Sequence, residues 1–157
     1  MTKHSAGILM FRYREDILEV FLVHPGGPFW AKKDQGAWSI PKGEFNIDSE
    51  APLDAAKREF AEETGSSIDG EFISLDTAAQ SSMKIVHAWA VAGDCDAAQI
   101  KSNTFSMEWP PRSGKQQEFP EVDRGEWFDI ETAKIKILKG QRTFIDKLLE
   151  KMEKSTY

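Results

Sequence analysis

The sequence has one cysteine, Cys95, in 157 residues. A single thiol forms neither an intramolecular disulfide nor a multi-cysteine zinc site, so folding rests on packing and a reducing compartment is expected. Long apolar runs are also missing. The stretch from Ser5 to Phe11, ahead of Arg12 and Arg14, is too short for a signal-peptide core or a membrane span. The expectation is a cytoplasmic protein that is neither exported nor inserted. Basic residues are outnumbered, 20 Lys and Arg against 26 Asp and Glu, and a net charge of -6 supplies no general attraction to DNA or to acidic lipid. No DNA partner and no membrane partner are therefore expected. Internal repeats and low-complexity tracts are absent. What remains, 40% hydrophobic and 29% charged residues, is the composition of a single domain over 1–157 with a substantial core.

Apolar alternation predicts a hairpin of strands at 5–12 and 17–24, joined across Arg14-Glu15-Asp16. Residues 25–48 hold Pro25, Gly26, Gly27, Pro28, Gly36, Pro41 and Gly43, which forbid one continuous element. A loop of that length is functional or disordered, and Trp30 and Trp38 argue against disorder. A helix is predicted from Ala51 to Thr64, with Ser49 or Asp48 as N-cap, Pro52 in the first turn and Gly65 as a left-handed C-cap. Leu53, Ala56 and Phe60 form its apolar stripe. Further strands are expected at 71–79, 84–92, 105–109 and 126–130, with a polar loop from Pro110 to Arg124. Helical spacing returns at 131–138 and from Gln141 to about Lys154. This order predicts an α/β (α+β) domain whose mixed central sheet is covered by helices on both faces.

The segment KREFAEETG sets Glu59, Glu62 and Glu63 in the last two turns of the predicted helix. Like-charge pairs at i,i+3 and i,i+4 cost roughly 0.2–0.5 kcal/mol each. Carboxylates near a helix C-terminus also meet the negative end of the dipole, at up to about 1 kcal/mol each when exposed. A local penalty without visible compensation marks a place where function is expected. A divalent cation such as Mg2+ or Mn2+ would compensate it, because these ions take hard oxygen ligands from a few carboxylates and from substrate phosphates. From these residues alone, a solvated acidic face partly neutralised by Lys57 and Arg58 is the other reading.

The context favours the cation. Upstream stand Pro41-Lys42-Gly43-Glu44 and Glu50, so that the segment reads Gly43-x6-Glu50-x7-Arg58-Glu59-Phe60-x-Glu62-Glu63-x-Gly65-Ser66. It resembles the signature of the Nudix hydrolases, G-x5-E-x7-R-E-U-x-E-E-x-G-U with U a bulky apolar residue. Two positions depart from it. One extra residue precedes Glu50, in a loop where length is cheap, and Ser66 replaces an apolar residue beyond the carboxylates. The resemblance extends to the order of elements and to a late Glu126-Trp127-Phe128 strand before a helix. It implies an α/β/α sandwich with a mixed central β-sheet.

The resemblance also implies metal-assisted hydrolysis of a pyrophosphate bond in a nucleoside diphosphate linked to another group. By this carry-over Glu62 and Glu63 are metal ligands, Glu59 is a ligand or the base that deprotonates water, and the Gly43 carbonyl is a further ligand. Arg58 orients one of these glutamates through a charge-assisted hydrogen bond, and Glu50 is another orienting carboxylate. Some members recruit a distant loop glutamate. Here Glu118 and Glu121 are available, and Glu121 is preferred because it lies six residues before Trp127, as in dinucleoside tetraphosphate hydrolases.

Candidate phosphate contacts are Lys42, Lys32, Lys33, Arg112 and Lys115, and Trp30, Phe29 and Trp109 are candidates for stacking on a base. Gly114-Lys115 is not a P-loop, since the upstream glycine and the following Ser or Thr are missing. Trp38, Trp89 and Trp127 read as core, and His24 and His87 as structural. The Pro-Lys-Gly form resembles that of the dinucleoside polyphosphate and diphosphoinositol polyphosphate hydrolases, and the order of substrates expected from the resemblance is dinucleoside polyphosphates, then diphosphoinositol compounds or nucleoside triphosphates, then ADP-ribose and sugar nucleotides. Subfamily marks after the box are not met: Ser82 stands where a tyrosine, and Gln80 where a proline, would sort the chain. A Nudix fold that binds a nucleotide without catalysis is the reading from another class, and the retained glutamates speak against it. Monomer and homodimer both stay open.

Overall fold

The computed structural model describes residues 2–155, with side chains through residue 153. The expected hairpin forms from β1 (Lys3–Arg14) and β2 (Ile17–Pro25), turning through Glu15 and Asp16 at positive φ. There follow β3 (Lys42–Phe45), α1 (Pro52–Thr64), β4 (Ile73–Ser81), β5 (Lys84–Ala92), β6 (Thr104–Glu108), β7 (Gln116–Pro120), β8 (Val122–Asp129), α2 (Ile130–Lys136) and α3 (Arg142–Ser155). The main sheet runs β4-β5-β1-β2-β8, with β3 paired to β1. Only β1 and β5 run parallel among these pairs, so the sheet is mixed as expected.

Strand β1 carries an uninterrupted apolar run because both of its faces are covered. Ile8 and Met10 join Phe21, Val23, Ala55, Ala56 and Phe60 beneath α1. Leu9 and Phe11 point the other way, to Trp38, Ile137, Phe144, Ile145 and Leu148 beneath α2 and α3. Adjacent residues thus serve opposite cores, as the two-residue strand period requires. Among the described residues no helix is long and apolar enough to cross a membrane.

The sheet divides along one edge of β1. That edge pairs with β3 from His4 to Gly7 and with β2 only from Phe11 onward. Ser39-Ile40-Pro41 fills the gap: Ile8 N–H donates to the Pro41 carbonyl, and Val23 and Ser39 bridge through two backbone hydrogen bonds. Buried Gln141 holds this segment, accepting from Ile40 N–H at 3.0 Å and donating to Ser39 Oγ at 3.0 Å. Lys42 and Gly43 are thereby delivered to the start of β3, against α1.

Several expectations need correction. The α1 N-cap is Ala51 and makes no side-chain cap bond. Asn46 organises the preceding turn instead, its carbonyl accepting from Ser49 N–H, Glu50 N–H and Ser49 Oγ, so the hydroxyl faces away from the helix. Gly65 does close α1 in the left-handed region, at φ 78°. The polar stretch 110–124 is not one loop, since it contains β7 and the start of β8, and β6 with β7 makes a separate two-stranded sheet. Alternation there is weak because almost every side chain is exposed, which leaves no core face to read. Strand 71–79 starts at Ile73 and runs on to Ser81, and Ile130 begins α2 rather than ending a strand. Trp38 is core at 2% exposure, whereas Trp89 and Trp127 are only half-buried.

His24 is structural, as read. It is fully buried, with Nδ1 2.9 Å from Asp123 Oδ1 and Nε2 2.6 Å from the Lys33 carbonyl. It therefore ties the loop after β2 to the start of β8. His24→Phe takes this ring partner away from Asp123 and the Lys33 carbonyl and is expected to cost about 1–3 kcal/mol. A lower urea midpoint at unchanged slope checks it, and an unshifted midpoint would show that His24 anchors nothing. His87 likewise meets another histidine, with its Nε2 2.9 Å from His4 Nδ1.

Candidate active site

Arg58 organises the carboxylates. Its Nε and Nη2 donate to the two oxygens of Glu50 at 3.0 and 2.9 Å, a bidentate pair that spans the loop and α1. Its Nη1 donates to Glu59 at 2.8 Å and to Glu62 at 3.2 Å. The sequence led to one oriented glutamate, and the structure has three. Arg58 holds Glu50 below the ordinary carboxylate range through this hydrogen bond, and its own pKa is raised in turn, first by Glu50 and then by Glu59.

Glu59 is buried, at 8% exposure, against Gly43. A Cβ at position 43 would lie 2.0 Å from Glu59 Oε2, so glycine is required there by the carboxylate and not by a turn. Burial pushes the Glu59 pKa up, the charge of Glu62 adds to this, and Arg58 opposes it. Glu63 faces another way, accepting from the backbone N–H of Lys42 at 3.0 Å. Burial pushes Glu63 up to about 8 despite that bond and the nearby Lys42 charge. Lys42 is itself pushed down by burial, with Glu63 acting in the opposite direction.

Glu121 joins this group and Glu118 does not. The negative charge of Glu121 contributes to the upward shifts of both Glu59 and Glu63. Its backbone is fixed on both sides, N–H donating to Asn103 at 2.8 Å and C=O accepting from Gly26 at 2.9 Å. Asn103 N–H in turn donates to the Glu62 carbonyl, which links β8 to the end of α1. Glu118 lies on the exposed β6–β7 ribbon, 3.4 Å from Thr104 Oγ1.

A cleft of about 220 Å³ opens beside the carboxylates, lined by Trp30, Ser39, Lys42, Glu63, Gln80 and Glu121 among others. Of the candidate substrate contacts, Lys42 and Trp30 are in it. Lys33 lies outside but keeps its ammonium 4.9 Å from the Trp30 ring centre, and Lys32 is exposed on the same loop. Arg112 and Lys115 belong to the turn joining β6 and β7, and neither lines the cleft. There Arg112 N–H donates to Glu108, and the Lys115 carbonyl accepts from Trp109 N–H. Trp109 packs edge-on against Phe29, with centroids 5.5 Å apart. Sequence reasoning missed Ser39 as a lining residue and treated Gln80 only as an absent proline. Ser39 reaches the cleft through its bridge to Val23, and Gln80 lies at a register shift near the end of the β4–β5 hairpin.

A divalent ion suits this donor set. The donors are hard carboxylate oxygens gathered next to a glycine backbone that has room for nothing larger, and two of them carry a burial penalty that a cation would relieve. Among the described residues no three such side chains already converge on a single point. Arg58 Nη1 shares the oxygens of Glu59 and Glu62, so an ion seated between them competes with the guanidinium.

No curated protein sequence matches the chain. Among solved structures, the Ap4A hydrolase of C. elegans in a binary complex aligns over 97% of this chain and 98% of its own, at TM-score 0.64 and 18% identity. A NUDIX hydrolase from Listeria monocytogenes aligns over 97% and 95%, at TM-score 0.65 and 18% identity. The NUDIX domain of NrtR from Shewanella oneidensis, complexed with ADP ribose, aligns over 97% and 89%, at TM-score 0.64 and 15% identity. These likenesses establish the α/β/α fold. The NUDIX domain model itself matches residues 1–148, nearly the whole chain, and the chain therefore belongs to the Nudix family, as a hydrolase of phosphoanhydrides.

Proposed function

We propose that the chain is a metal-dependent pyrophosphohydrolase acting on a nucleoside diphosphate linked to another group, with dinucleoside polyphosphates such as diadenosine tetraphosphate as the preferred class. One observation carries this reading: Arg58 holds Glu50, Glu59 and Glu62 together, with Glu59 against Gly43, and the neighbouring residues Lys42 and Glu63 line a cleft together with Glu121. A module that only bound nucleotide would have no need of two buried glutamates, Glu59 and Glu63, whose charge burial disfavours even beside Arg58 and Lys42.

Glu62, Glu63 and the Gly43 carbonyl would hold Mg2+ or Mn2+. Such an ion, when bound, offsets the charge of the phosphate chain and makes water a stronger nucleophile at neutral pH. Glu59 then accepts the proton of the attacking water, or serves as a further ligand, and Arg58 fixes the direction of its carboxylate. Glu50 anchors Arg58 from outside. Lys42, half-sequestered at the cleft, meets a phosphate oxygen, and Trp30 borders the nucleoside. Glu121, on the lining of the same cleft, is a second acceptor. Glu121→Gln is expected to lower turnover at least tenfold with the melting temperature unchanged, while Glu118→Gln has no such effect. Equal activities of the two variants would remove Glu121 from the mechanism.

The deciding experiment is product analysis by anion-exchange chromatography. The protein is incubated with Mg2+ or Mn2+ and with diadenosine polyphosphates, nucleoside triphosphates, diphosphoinositol polyphosphates, ADP-ribose and sugar nucleotides, with Glu62→Gln as control. Cleavage of the diadenosine compounds alone, lost in the control, is the expected result. Preference for another class changes the substrate, and no cleavage of any compound overturns the catalytic reading.

A further inference from the structure

A second cleft, about 450 Å³, lies between the loop after β2 and the β6–β7 ribbon, with Gly27, Phe29, Trp30, Phe105, Met107 and Glu121 on its walls. It adjoins the first, since Pro25, Trp30 and Glu121 line both. Its character differs. The first cleft contains Lys42, whereas among the described residues the second has no Lys or Arg on its lining and Glu121 is its only charged side chain. A phosphate group would meet repulsion there and no cation.

The walls are built rather than incidental. Gly26 donates to the Glu121 carbonyl, and a Cβ on it would lie 1.9 Å from the Pro120 oxygen, so loop and ribbon touch backbone to backbone. A Cβ on Gly27 would lie 2.9 Å from Phe105 Cζ, so the floor is closed. Phe105 is backed across the ribbon by Phe119, at 6.0 Å between centroids. Phe29, 61% exposed, stands at the rim against Trp109. Phe29, Trp30, Phe105 and Met107 give the cleft apolar and aromatic walls, which suit a planar uncharged ring.

We propose that this cleft is a subsite for the second nucleobase of a two-ended substrate. The phosphate chain crosses the Glu59, Glu62 and Glu121 region, one nucleoside lies on the Lys42 side of Trp30, and the other base enters among Phe29, Phe105 and Met107. The proposal rests on the pyrophosphohydrolase reading and deepens it by explaining why two bases are preferred to one.

The test is calorimetric binding of diadenosine tetraphosphate and of adenosine 5′-tetraphosphate, which lacks the second adenosine, in Mg2+. It uses the Glu59→Gln protein with and without Phe29→Ser plus Met107→Ala, and Ile135→Ala on exposed α2 as a control. The two-ended ligand is expected to bind at least tenfold more tightly than the one-ended one, in line with the loss or gain of a stacked base. The double change collapses that ratio, and Ile135→Ala does not. The proposal is overturned if the ratio starts near one, if it survives the double change, or if neither ligand binds. Hydrolysis by the unaltered protein is read separately: cleavage of neither compound removes the dinucleoside polyphosphate class as substrate, while the binding ratio still decides the subsite.

Discussion

Glu59→Gln is expected to lower turnover by roughly 10²- to 10⁴-fold, the usual consequence of losing a general base, while the metal-free protein stays at least as stable as its parent. The two halves of this result have one cause. Glu59 is buried beside Gly43 with Glu62 close by, and burial followed by the Glu62 charge raises its pKa. A carboxyl whose pKa is raised on folding contributes stability fully only below its unfolded value, and that contribution is lost as pH climbs through the folded one. Glutamine keeps an oxygen to accept from Arg58 and never ionises. The parent therefore loses stability relative to the variant as pH rises above the ordinary value of 4.5. Urea midpoints in chelator-treated samples, taken at several pH values, should show the variant level with or above the parent, and turnover in Mg2+ should show the loss. A variant that keeps near-parental turnover would remove Glu59 from the chemistry. One that unfolds earlier than the parent at neutral pH would mean that Glu59 stabilises this site rather than straining it.

Gly43→Ala is expected to abolish most activity by a different route. The new methyl would sit 2.0 Å from Glu59 Oε2, 2.2 Å from its Cδ and 2.6 Å from Oε1. Glu59 is clamped from the far side by Arg58, which is itself bidentate to Glu50, so the carboxylate cannot step aside without disturbing that set. Separation of β3 from α1 is the other escape, and overpacking of this kind costs about 1–3 kcal/mol. Turnover should fall at least a hundredfold, since a displacement of about 1 Å at a catalytic group has that effect. A folded Gly43→Ala protein with parental turnover would show that the Glu59 position seen here is not the working one. A crystal structure of the variant would show which of the two displacements occurs.

The contrast between these substitutions shows how differently the two residues could be read in advance. Glu59, Glu62 and Glu63 stand out in the sequence because they sit at helical spacing at the wrong end of a helix, a local electrostatic conflict that needs no fold to be visible. Gly43 stands out only as part of a pattern. Its reason, the carboxylate resting on its Cα, depends on β3 pairing with β1 while α1 crosses it. The role of Arg58 was legible in kind and not in extent. Its bond to Glu62 follows from i,i+4 spacing, but the bidentate grip on Glu50 depends on how the Asn46 turn enters the helix.

The sequence by itself determined the elements with strong periodicity and the chemistry carried by adjacent residues: the β1–β2 hairpin, β5, α1 with its Gly65 cap, the two-sided core, the acidic cluster and the family. These rest on interactions within a few residues or on burial of whole faces, which the amino-acid pattern records directly. Only the tertiary structure decided which distant residues share the site. It brought Glu121 and not Glu118 toward Glu59 and Glu63, left Arg112 and Lys115 at a hairpin turn, and opened a second aromatic cleft between two loops that are 80 residues apart in Phe29 and Trp109. Those outcomes depend on the registry of β6 with β7 and on backbone bonds such as Gly26 to Glu121 and Asn103 to Glu62. Backbone groups are the same in every residue, so the pairing between distant segments leaves no mark in the order of side chains until the chain is folded.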